Sequence, residues 1–338
     1  MENHDSTILE ELSKLREEFE KFKKNFKEHA DFEQRLAGKK NEERPFGMLN
    51  LPSKGLFYKD KNEFLLIGYL TYFEENILTN EMMHEANIAM PIVLEKIIIN
   101  NDFNVKEILS CDVQAISMFL RAYSYGNNIE VDIDCPHCGK KDKHTIMISN
   151  FKSKDINLNP DENGEIEILI EKINKKIKIK PRSYFEEIDF QKTKRKQVET
   201  TGFYIAEFEG ERDRDRIVKM LSILKITESR EIRKTVFDNL PGIDTNIIYE
   251  CSFCEKSSNI NFGSNGADFL KLPASFMNNV LEEIFLLAHY SKGISEEGAK
   301  RMPVGERRWF INRLSEEITK KNEAEKSAVA KAKSKGKR

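Results

Sequence analysis

Two pairs of cysteines in this chain have the spacing of metal-binding turns: Cys135-Pro-His-Cys138 and Cys251-Ser-Phe-Cys254. Each pair lies between short segments in which apolar and polar residues alternate, as in β-strands. A two-residue gap lets both sulfurs of one turn reach a single ion, and two such turns supply four thiolates at tetrahedral corners, about 2.3 Å from zinc. The sequence therefore predicts a structural Zn²⁺ bound by Cys135, Cys138, Cys251 and Cys254 in a zinc-ribbon-like module.

Other interpretations of the cysteines remain open. Zinc ribbons usually separate their two pairs by some 15 to 20 residues, whereas roughly a hundred residues lie between the pairs here. A disulfide is one alternative, although an intracellular chain would not keep one, and a redox-active CxxC is another. His137 lies inside the first pair and could replace a thiolate, or it could be a solvent-facing loop residue. Cys111 stands alone and is interpreted as a small buried side chain.

The sequence offers no catalytic constellation. It contains no Walker A, GxGxxG, HExxH or GxSxG motif. A metal held by four cysteines has no open position for water or substrate, so the predicted site is structural. Acidic pairs such as Glu74-Glu75, Glu186-Glu187 and Glu282-Glu283 are interpreted as exposed helix faces, because 33% of all residues are charged. The sequence therefore predicts a protein that is not an enzyme.

The composition indicates an intracellular protein of two or three domains. The chain has 338 residues, of which 39% are hydrophobic, and its 55 Lys and Arg nearly balance its 57 Asp and Glu. A formal net charge of -2 excludes a strongly basic nucleic-acid coat. No apolar run approaches the ~20 residues of a membrane helix. The acidic, amphipathic N-terminus does not have the pattern of a secretory signal.

An N-terminal amphipathic helix is predicted within residues 1–44, with a hinge at its end. Its apolar residues recur every three or four positions, as in the seam of a coiled coil. They are Ile8, Leu12, Leu15, Phe19, Phe22 and Phe26. A single helix of this length is marginal in water, so we expect these residues to contact a partner. That partner is another copy, another protein or the body of this chain.

The remaining pattern predicts an α+β fold that is mostly helical with short strands. Residues 45–128 form a first α/β block. Residues 129–150 together with 246–270 form the zinc-ribbon-like module, and 151–245 are an inserted domain with a hairpin followed by helices. Residues 271–319 are C-terminal helices. Residues 320–338 carry eight basic and two acidic side chains and are predicted to be a disordered tail.

Several motifs give this chain a resemblance to a known family. They are LPSKGLFY (Leu51–Tyr58), RAYSYGN (Arg121–Asn127) shortly before CPHCG, KPRSYFEE, LPGIDTNIIYECSFC and the C-terminal MPVGERRWFINRL. Over roughly residues 46–319 the chain is similar to the baseplate hub subunit family of T-even-type contractile-tailed bacteriophages. The resemblance implies a non-enzymatic protein of tail morphogenesis, located in the host cytoplasm during assembly or in the tail baseplate of the virion. It also implies a docking or turn element formed by Leu51, Pro52, Ser53, Gly55 and Tyr58.

Two functions from different classes follow from these observations. The first is a structural or assembly component of the baseplate hub, whose partners are other tail proteins and, through the N-terminal helix, a second copy of itself. The alternative is a zinc-ribbon regulator that binds nucleic acid through its basic tail. The sequence favours the first function, without a membrane and without nucleic acid as partners.

Overall fold

The computed structural model describes residues 44–335, except 101–102, 158, 194, 263–268 and 271. The predicted N-terminal helix and its seam from Ile8 to Phe26 lie outside the described residues. Their interaction role therefore stays a prediction.

The first block combines one hairpin with helices that cover it. Its elements are β1 (Phe46–Asn50), β2 (Phe64–Gly68), α1 (Tyr72–Leu78), α2 (Glu81–Glu85), α3 (Ala89–Ile97) and α4 (Ser110–Tyr125). Strands β1 and β2 are antiparallel, with Phe46 opposite Gly68. Helix α4 ends at Gly126, whose φ of +94° suits a residue without a β-carbon. Leu270 and Val304, from much later in the chain, are buried in the same core.

Two hairpins form the predicted ribbon, and an insert separates them. The hairpins are β3 (Asn128–Asp134) with β4 (Lys141–Met147), and β10 (Asn246–Glu250) with β11 (Ser257–Asn261). The insert begins at β5 (Lys152–Ser153) and ends at β9 (Ile243–Asp244), and these two short strands pair with each other. The two ends of the insert are therefore held together next to the hairpins.

The insert has its own core under a three-stranded sheet of order β6-β7-β8. Its elements are β6 (Ile166–Ile170), β7 (Lys175–Ile179), α5 (Tyr184–Gln191), α6 (Gln197–Tyr204), β8 (Ile205–Phe208), α7 (Arg214–Ser222) and α8 (Ile226–Asn239). The predicted hairpin is present, and Asn174 makes its turn in the left-handed conformation. Strand β8, which the sequence analysis did not predict, continues directly from α6.

The C-terminal helices are α9 (Phe276–Tyr290), α10 (Glu296–Arg301) and α11 (Val304–Lys335). Among the described residues every strand pairing is antiparallel, and helices outweigh strands. The α+β prediction is thus confirmed for this part of the chain. Separate apolar clusters lie in the first block, the insert, the ribbon and the C-terminal helices. The domain boundaries themselves stay a prediction.

The prediction of a disordered tail from residue 320 is wrong for residues 320–335, because α11 continues without a break to Lys335. The segment is rich in Ala, Lys and Glu, which favour helix, and it has no Gly or Pro before Gly336. Side chains at 320–329 are exposed. The low apolar content therefore correctly indicated that the segment is exposed. The inference from it that the segment is disordered was wrong.

The LPSKGLFY loop is fastened to α4 through the buried carboxylate of Asp112. The Ser53 backbone N–H donates to Asp112 Oδ1 at 3.1 Å and the Tyr58 hydroxyl donates to Oδ2 at 2.5 Å. The same hydroxyl accepts from the Leu109 N–H at 3.0 Å. Burial raises the pKa of Asp112, while these hydrogen bonds oppose the rise. Leu51, Pro52, Ser53, Gly55 and Tyr58 are all buried, so this loop is part of the packed interior.

Replacing Gly55 with Ala is expected to destabilise the loop by at least about 2 kcal/mol, because a left-handed non-glycine residue alone costs roughly 1–2 kcal/mol. Gly55 has a φ of +68°, and an added β-carbon would lie 2.1 Å from the carbonyl oxygen of Asn62. Gly210 is the matched control: its φ is +85°, but nothing lies within 4 Å of an added β-carbon. Chemical denaturation should show a clearly larger loss for Gly55→Ala than for Gly210→Ala. Equal losses would contradict the steric argument.

A buried ion network joins the first block to the C-terminal helices. The Arg307 guanidinium, which is 0% exposed, donates from Nη2 to Glu75 Oε2 at 2.6 Å and from Nε to Glu283 Oε2 at 2.9 Å. The Tyr125 hydroxyl donates to Glu75 Oε1 at 2.8 Å. The interpretation of Glu74-Glu75 as an exposed helix face is therefore wrong, since both residues are buried. Glu283 is half-buried beside the guanidinium, with 20% of its side chain exposed.

Candidate metal centre

The turns of the two ribbon hairpins place the four cysteines in equivalent positions. In the first turn the Cys135 N–H donates to the Lys140 carbonyl at 2.9 Å, and in the second the Cys251 N–H donates to the Lys256 carbonyl at 3.2 Å. Gly139 and Glu255 follow the second cysteine of each pair, and both have positive φ, +69° and +57°. The same local geometry therefore occurs twice, as the repeated strand-CxxC-strand pattern predicts.

The four sulfur atoms form one compact cluster. Cys135 Sγ lies 3.7 Å from Cys254 Sγ, and Cys138 Sγ lies 3.8 Å from Cys251 Sγ. All four ligand atoms lie within 4.8 Å of one another. A tetrahedron of sulfurs about 2.3 Å from a central zinc has edges of about 3.8 Å, whereas a disulfide needs about 2.05 Å. The arrangement is able to hold a metal ion, and the predicted four-cysteine cluster is confirmed.

Backbone N–H groups also point at the cluster. The His137 N–H donates to Cys135 Sγ and the Phe253 N–H donates to Cys251 Sγ, each at 3.4 Å. Such hydrogen bonds stabilise negative charge on sulfur. The His137 ring is exposed, with Nε2 3.4 Å from the Ser257 carbonyl oxygen, and it does not belong to the cluster. The solvent-facing interpretation of His137 therefore holds.

Asp142 connects the two hairpins directly and was missed by the sequence analysis. It lies on β4, and its carboxylate accepts hydrogen bonds from Ser252 Oγ at 2.8 Å, the Ser252 N–H at 2.9 Å and the buried Tyr249 hydroxyl at 3.0 Å. These bonds, chiefly those from Ser252, lower the pKa of Asp142. The only hint in the sequence was a serine placed between Cys251 and Cys254. Asp142 is not one of the four candidate ligands, but its hydrogen bonds to Ser252 would orient the turn that carries Cys251 and Cys254.

The thiols of the cluster favour a cation between them. The pKa of Cys251 is lowered to about 6, chiefly by the nearby Tyr249 hydroxyl, so that this residue is a thiolate at neutral pH. For Cys254 the Lys256 N–H lowers the pKa, but burial and hydrogen bonds with the other thiols outweigh it and raise the pKa to about 11. One thiolate therefore suppresses the ionisation of its neighbour. A bound cation would remove that conflict and allow all four to ionise.

The ribbon has too small an apolar core to be stable alone. Its apolar cluster has four buried residues, Ile133, Cys135, Tyr249 and Cys251, so half of them belong to the four-cysteine cluster. Isolated two-stranded hairpins are marginally stable in water. A metal that joins the two turns would therefore supply the main crosslink between the hairpins.

Comparison with protein-family models assigns this chain to a family. A scan of protein-family models matches residues 71–271, more than half of the chain, to T4 bacteriophage base plate protein. The chain belongs to this base plate protein family. The resemblance inferred from the sequence motifs is thus confirmed for a T4-type base plate protein. Neither the search of curated proteins nor the search of solved structures gave a match.

The family match covers the metal centre but not every motif. Its range of residues 71–271 includes all four cysteines, Asp142, Tyr249 and the insert. The LPSKGLFY loop lies before it, and Arg307 lies after it. Interaction with other tail and base plate proteins follows from membership of the family. Within the described part of the chain, no helix has the length and apolar character that crossing a membrane requires.

Replacing Asp142 with Asn is expected to lower metal affinity about 10- to 100-fold, the usual effect of removing a group that orients metal ligands. The variant keeps the size of the side chain but weakens the bonds from Ser252 and Tyr249. Asp132→Asn is the matched control, because Asp132 is an exposed carboxylate on the same hairpin. Competition with a chromophoric chelator measures both affinities. An equal decrease in the two variants would mean that only net charge near the site matters.

Proposed function

We propose that this base plate protein is a structural or assembly component of the base plate hub, acting through contacts with other tail proteins. Membership of the base plate family carries the proposal. The closed set of four cysteines supports a non-enzymatic role, because a metal bound there has no free position for a substrate. The nucleic-acid alternative is not favoured, since the family match is to a base plate protein.

The metal in the proposal is Zn²⁺ with a structural role. Four thiolates at tetrahedral spacing suit zinc and iron among the common metals. The flanking hairpins and the closed ligand set are those of a zinc ribbon. Elemental analysis of protein purified without chelator is expected to give about one zinc per chain. Stoichiometric iron with a thiolate-to-iron absorption band would contradict this assignment.

The contacts with partners are proposed at two places. One is the N-terminal seam of Ile8, Leu12, Leu15, Phe19, Phe22 and Phe26, which pairs with a tail protein or with a second copy. The other is the C-terminal helical region, where Phe285 on α9 and Trp309 on α11 are 56% and 60% exposed. Large exposed aromatic side chains are common at protein interfaces. The LPSKGLFY loop is proposed to be a turn element of the fold, consistent with its burial against α4.

Co-purification tests the proposed function. Tagged full-length chain is expressed with the tail gene cluster of the same phage, and its complexes are purified and crosslinked. Stable association with hub proteins is expected, in the host cytoplasm before tail completion, and analysis of finished particles decides whether the protein is retained. Failure to associate with any tail protein would refute the proposal. Association only with proteins from the periphery of the base plate would refute the hub assignment.

A matched pair of variants tests the N-terminal seam. Leu15→Glu with Phe19→Glu places charge in the seam, whereas Glu17→Gln changes a residue of the polar face. Loss of a partner, or of self-association in sedimentation experiments, is expected only for the first variant. If both variants keep every partner, the seam is not an interaction surface.

A further inference from the structure

A cleft of about 800 Å³ lies where the first block, the insert and the ribbon meet. Its walls include the first turns of α4, parts of α5, α6 and α8, and the segment from Leu240 to Thr245. The volume is in the range of ligand-binding sites. The metal centre and the loop around Asp112 do not use this cleft, so its role is not explained by either.

The cleft is strongly basic. Five cationic residues line it: Lys154, Arg182, Arg230, Arg233 and Lys234. Among its described lining residues the one carboxylate is Glu187, which accepts a hydrogen bond from the Tyr204 hydroxyl at 2.8 Å. The whole chain carries a net charge of -2. The cleft is therefore positively charged although the chain as a whole is slightly negative. Such a local concentration of positive charge attracts anionic groups.

Three of these cations occupy one face of α8 and are exposed. Arg230, Arg233 and Lys234 recur at the spacing of neighbouring turns, and Phe237 continues the same face. Within the described part of the chain none of the three forms an ion pair with a carboxylate. By contrast, Arg212 contacts both Glu165 and Glu207 elsewhere in the insert. The α8 face therefore has charge available for a ligand.

The other two cations are held by backbone carbonyl groups, and Arg182 Nη1 also lies 3.9 Å from Glu186 Oε1. Lys154 Nζ donates to the Phe237 carbonyl at 2.8 Å, and Arg182 Nε donates to the Phe203 carbonyl at 2.9 Å. Each bond uses one N–H and leaves further donors on the same group. These two residues are half-buried, so their charges are positioned inside the cleft.

Gln114 gives an independent indication that a ligand belongs here. It lines the cleft from α4, is only 4% exposed, and its side-chain nitrogen Nε2 has no hydrogen-bond partner. A buried donor left unsatisfied destabilises the folded state. An acceptor oxygen from a ligand in the cleft would remove that cost. The cleft therefore offers cationic side chains to an anionic group of a ligand and a buried amide N–H to an uncharged acceptor.

We propose that this cleft binds an acidic segment of another base plate protein. The walls also include the apolar residues Leu109, Pro181, Phe237 and Ile243. A peptide with both carboxylates and apolar side chains matches that mixture. Single-stranded nucleic acid depends instead on several stacking aromatic rings along an extended basic groove. The proposal rests on the proposed function, because it takes the partner from among the base plate proteins.

Binding of a defined acidic peptide tests the cleft. The probe is a fluorescein-labelled ten-residue peptide of alternating Glu and Leu, titrated with zinc-loaded full-length chain. Fluorescence anisotropy should show binding that weakens as salt increases. Arg230→Glu with Lys234→Glu should reduce affinity by at least about tenfold, because charge reversal replaces attraction by repulsion. Lys59→Glu with Lys219→Glu is the control, with the same change in net charge at exposed positions outside the cleft. Circular dichroism and zinc content show that each variant is folded.

Several results would overturn the proposal. These are equal binding by the cleft variant, an equal loss in the control variant, or no binding by the unmodified chain. Tighter and equally variant-sensitive binding of a ten-nucleotide single-stranded DNA would assign the cleft to nucleic acid. Complete displacement of the peptide by equimolar inorganic phosphate would assign it to a free anion. The two proposals can be refuted independently. If the chain co-purifies with hub proteins but does not bind the peptide, only the proposal for the cleft is refuted. If the chain binds the peptide in a variant-sensitive way but does not co-purify with tail proteins, only the proposed function is refuted.

Discussion

Replacing Cys135 with Ser, or removing the metal with a chelator, is expected to unfold the ribbon and to lower the melting temperature sharply. The apolar cluster of the ribbon has four buried residues, two of them cysteines of the proposed metal site, so little apolar burial remains without the ion. Structural zinc contributes about 10–16 kcal/mol of apparent binding free energy in zinc-finger peptides, which is comparable to the ~5–15 kcal/mol stability of a whole domain. Thermal denaturation followed by circular dichroism, with elemental analysis of each sample, measures the effect.

Cys111→Ser is the control for this experiment. Cys111 lies outside the four-sulfur cluster, with its thiol 3.7 Å from Asp112 Oδ1. This variant should keep about one zinc per chain, whereas Cys135→Ser and Cys251→Ser should lose it. Full zinc occupancy in either of those two variants, or an unchanged melting curve after chelation, would show that the cluster is not a structural metal site.

Arg307→Ala is expected to destabilise the protein by about 3–5 kcal/mol, the usual cost of removing one partner from a buried ion pair. The variant would leave the buried carboxylate of Glu75 without its cation, whereas the half-buried Glu283 keeps Arg308 at 3.8 Å. The loss should appear as a lower denaturant midpoint in equilibrium unfolding. Arg313→Ala is the matched control on the same helix, since Arg313 pairs with Glu316 and Glu317 at the surface. Exposed pairs contribute about 0–1 kcal/mol, and similar losses for the two variants would contradict a special role for the buried network.

The effect of Arg307→Ala should depend on pH. Burial already raises the pKa of Glu75, and Arg307 opposes that rise. Without Arg307 the folded-state pKa of Glu75 rises further, so the folded state binds a proton more strongly than the unfolded state does. Stability is then lost as pH increases from the ordinary carboxyl range through the raised folded-state pKa. The difference between the variant and the unmodified chain should therefore be smaller at pH 5 than at pH 8.

Local patterns predicted the metal centre well because its requirements are local. Each CxxC turn and its two strands lie within about twenty residues, and residues of that kind at that spacing have few other uses. The hairpin in the insert was predicted for the same reason. The sequence pattern alone did not show how the two CxxC hairpins come together despite the insert between them. The pairing of β5 with β9 holds the two ends of the insert together and so brings the hairpins into contact.

Long-range partners explain what the sequence analysis missed. Glu75 and Arg307 are separated by 232 positions, and Asp142 and Ser252 by 110. Nothing in the neighbourhood of Glu75 distinguishes it from an exposed acid on an amphipathic helix. The basic cleft was missed because Lys154 and Arg182 are far in sequence from the three cations of α8, and the five residues meet only in the folded chain. The LPSKGLFY loop was recognised as a motif, but the sequence did not show what holds it. It is held by the Asp112 carboxylate, 59 residues from Ser53.

The separation of the two cysteine turns also has a consequence during translation. Their partner sulfurs are 113 and 119 residues apart, so at about 5–20 residues per second the ribosome needs roughly 6–24 s to deliver the second turn after the first. Throughout that interval Cys135 and Cys138 are an incomplete ligand pair. The insert can fold in the meantime, since it has a core of its own. A metal held by all four cysteines can therefore be bound only after the insert has emerged from the ribosome.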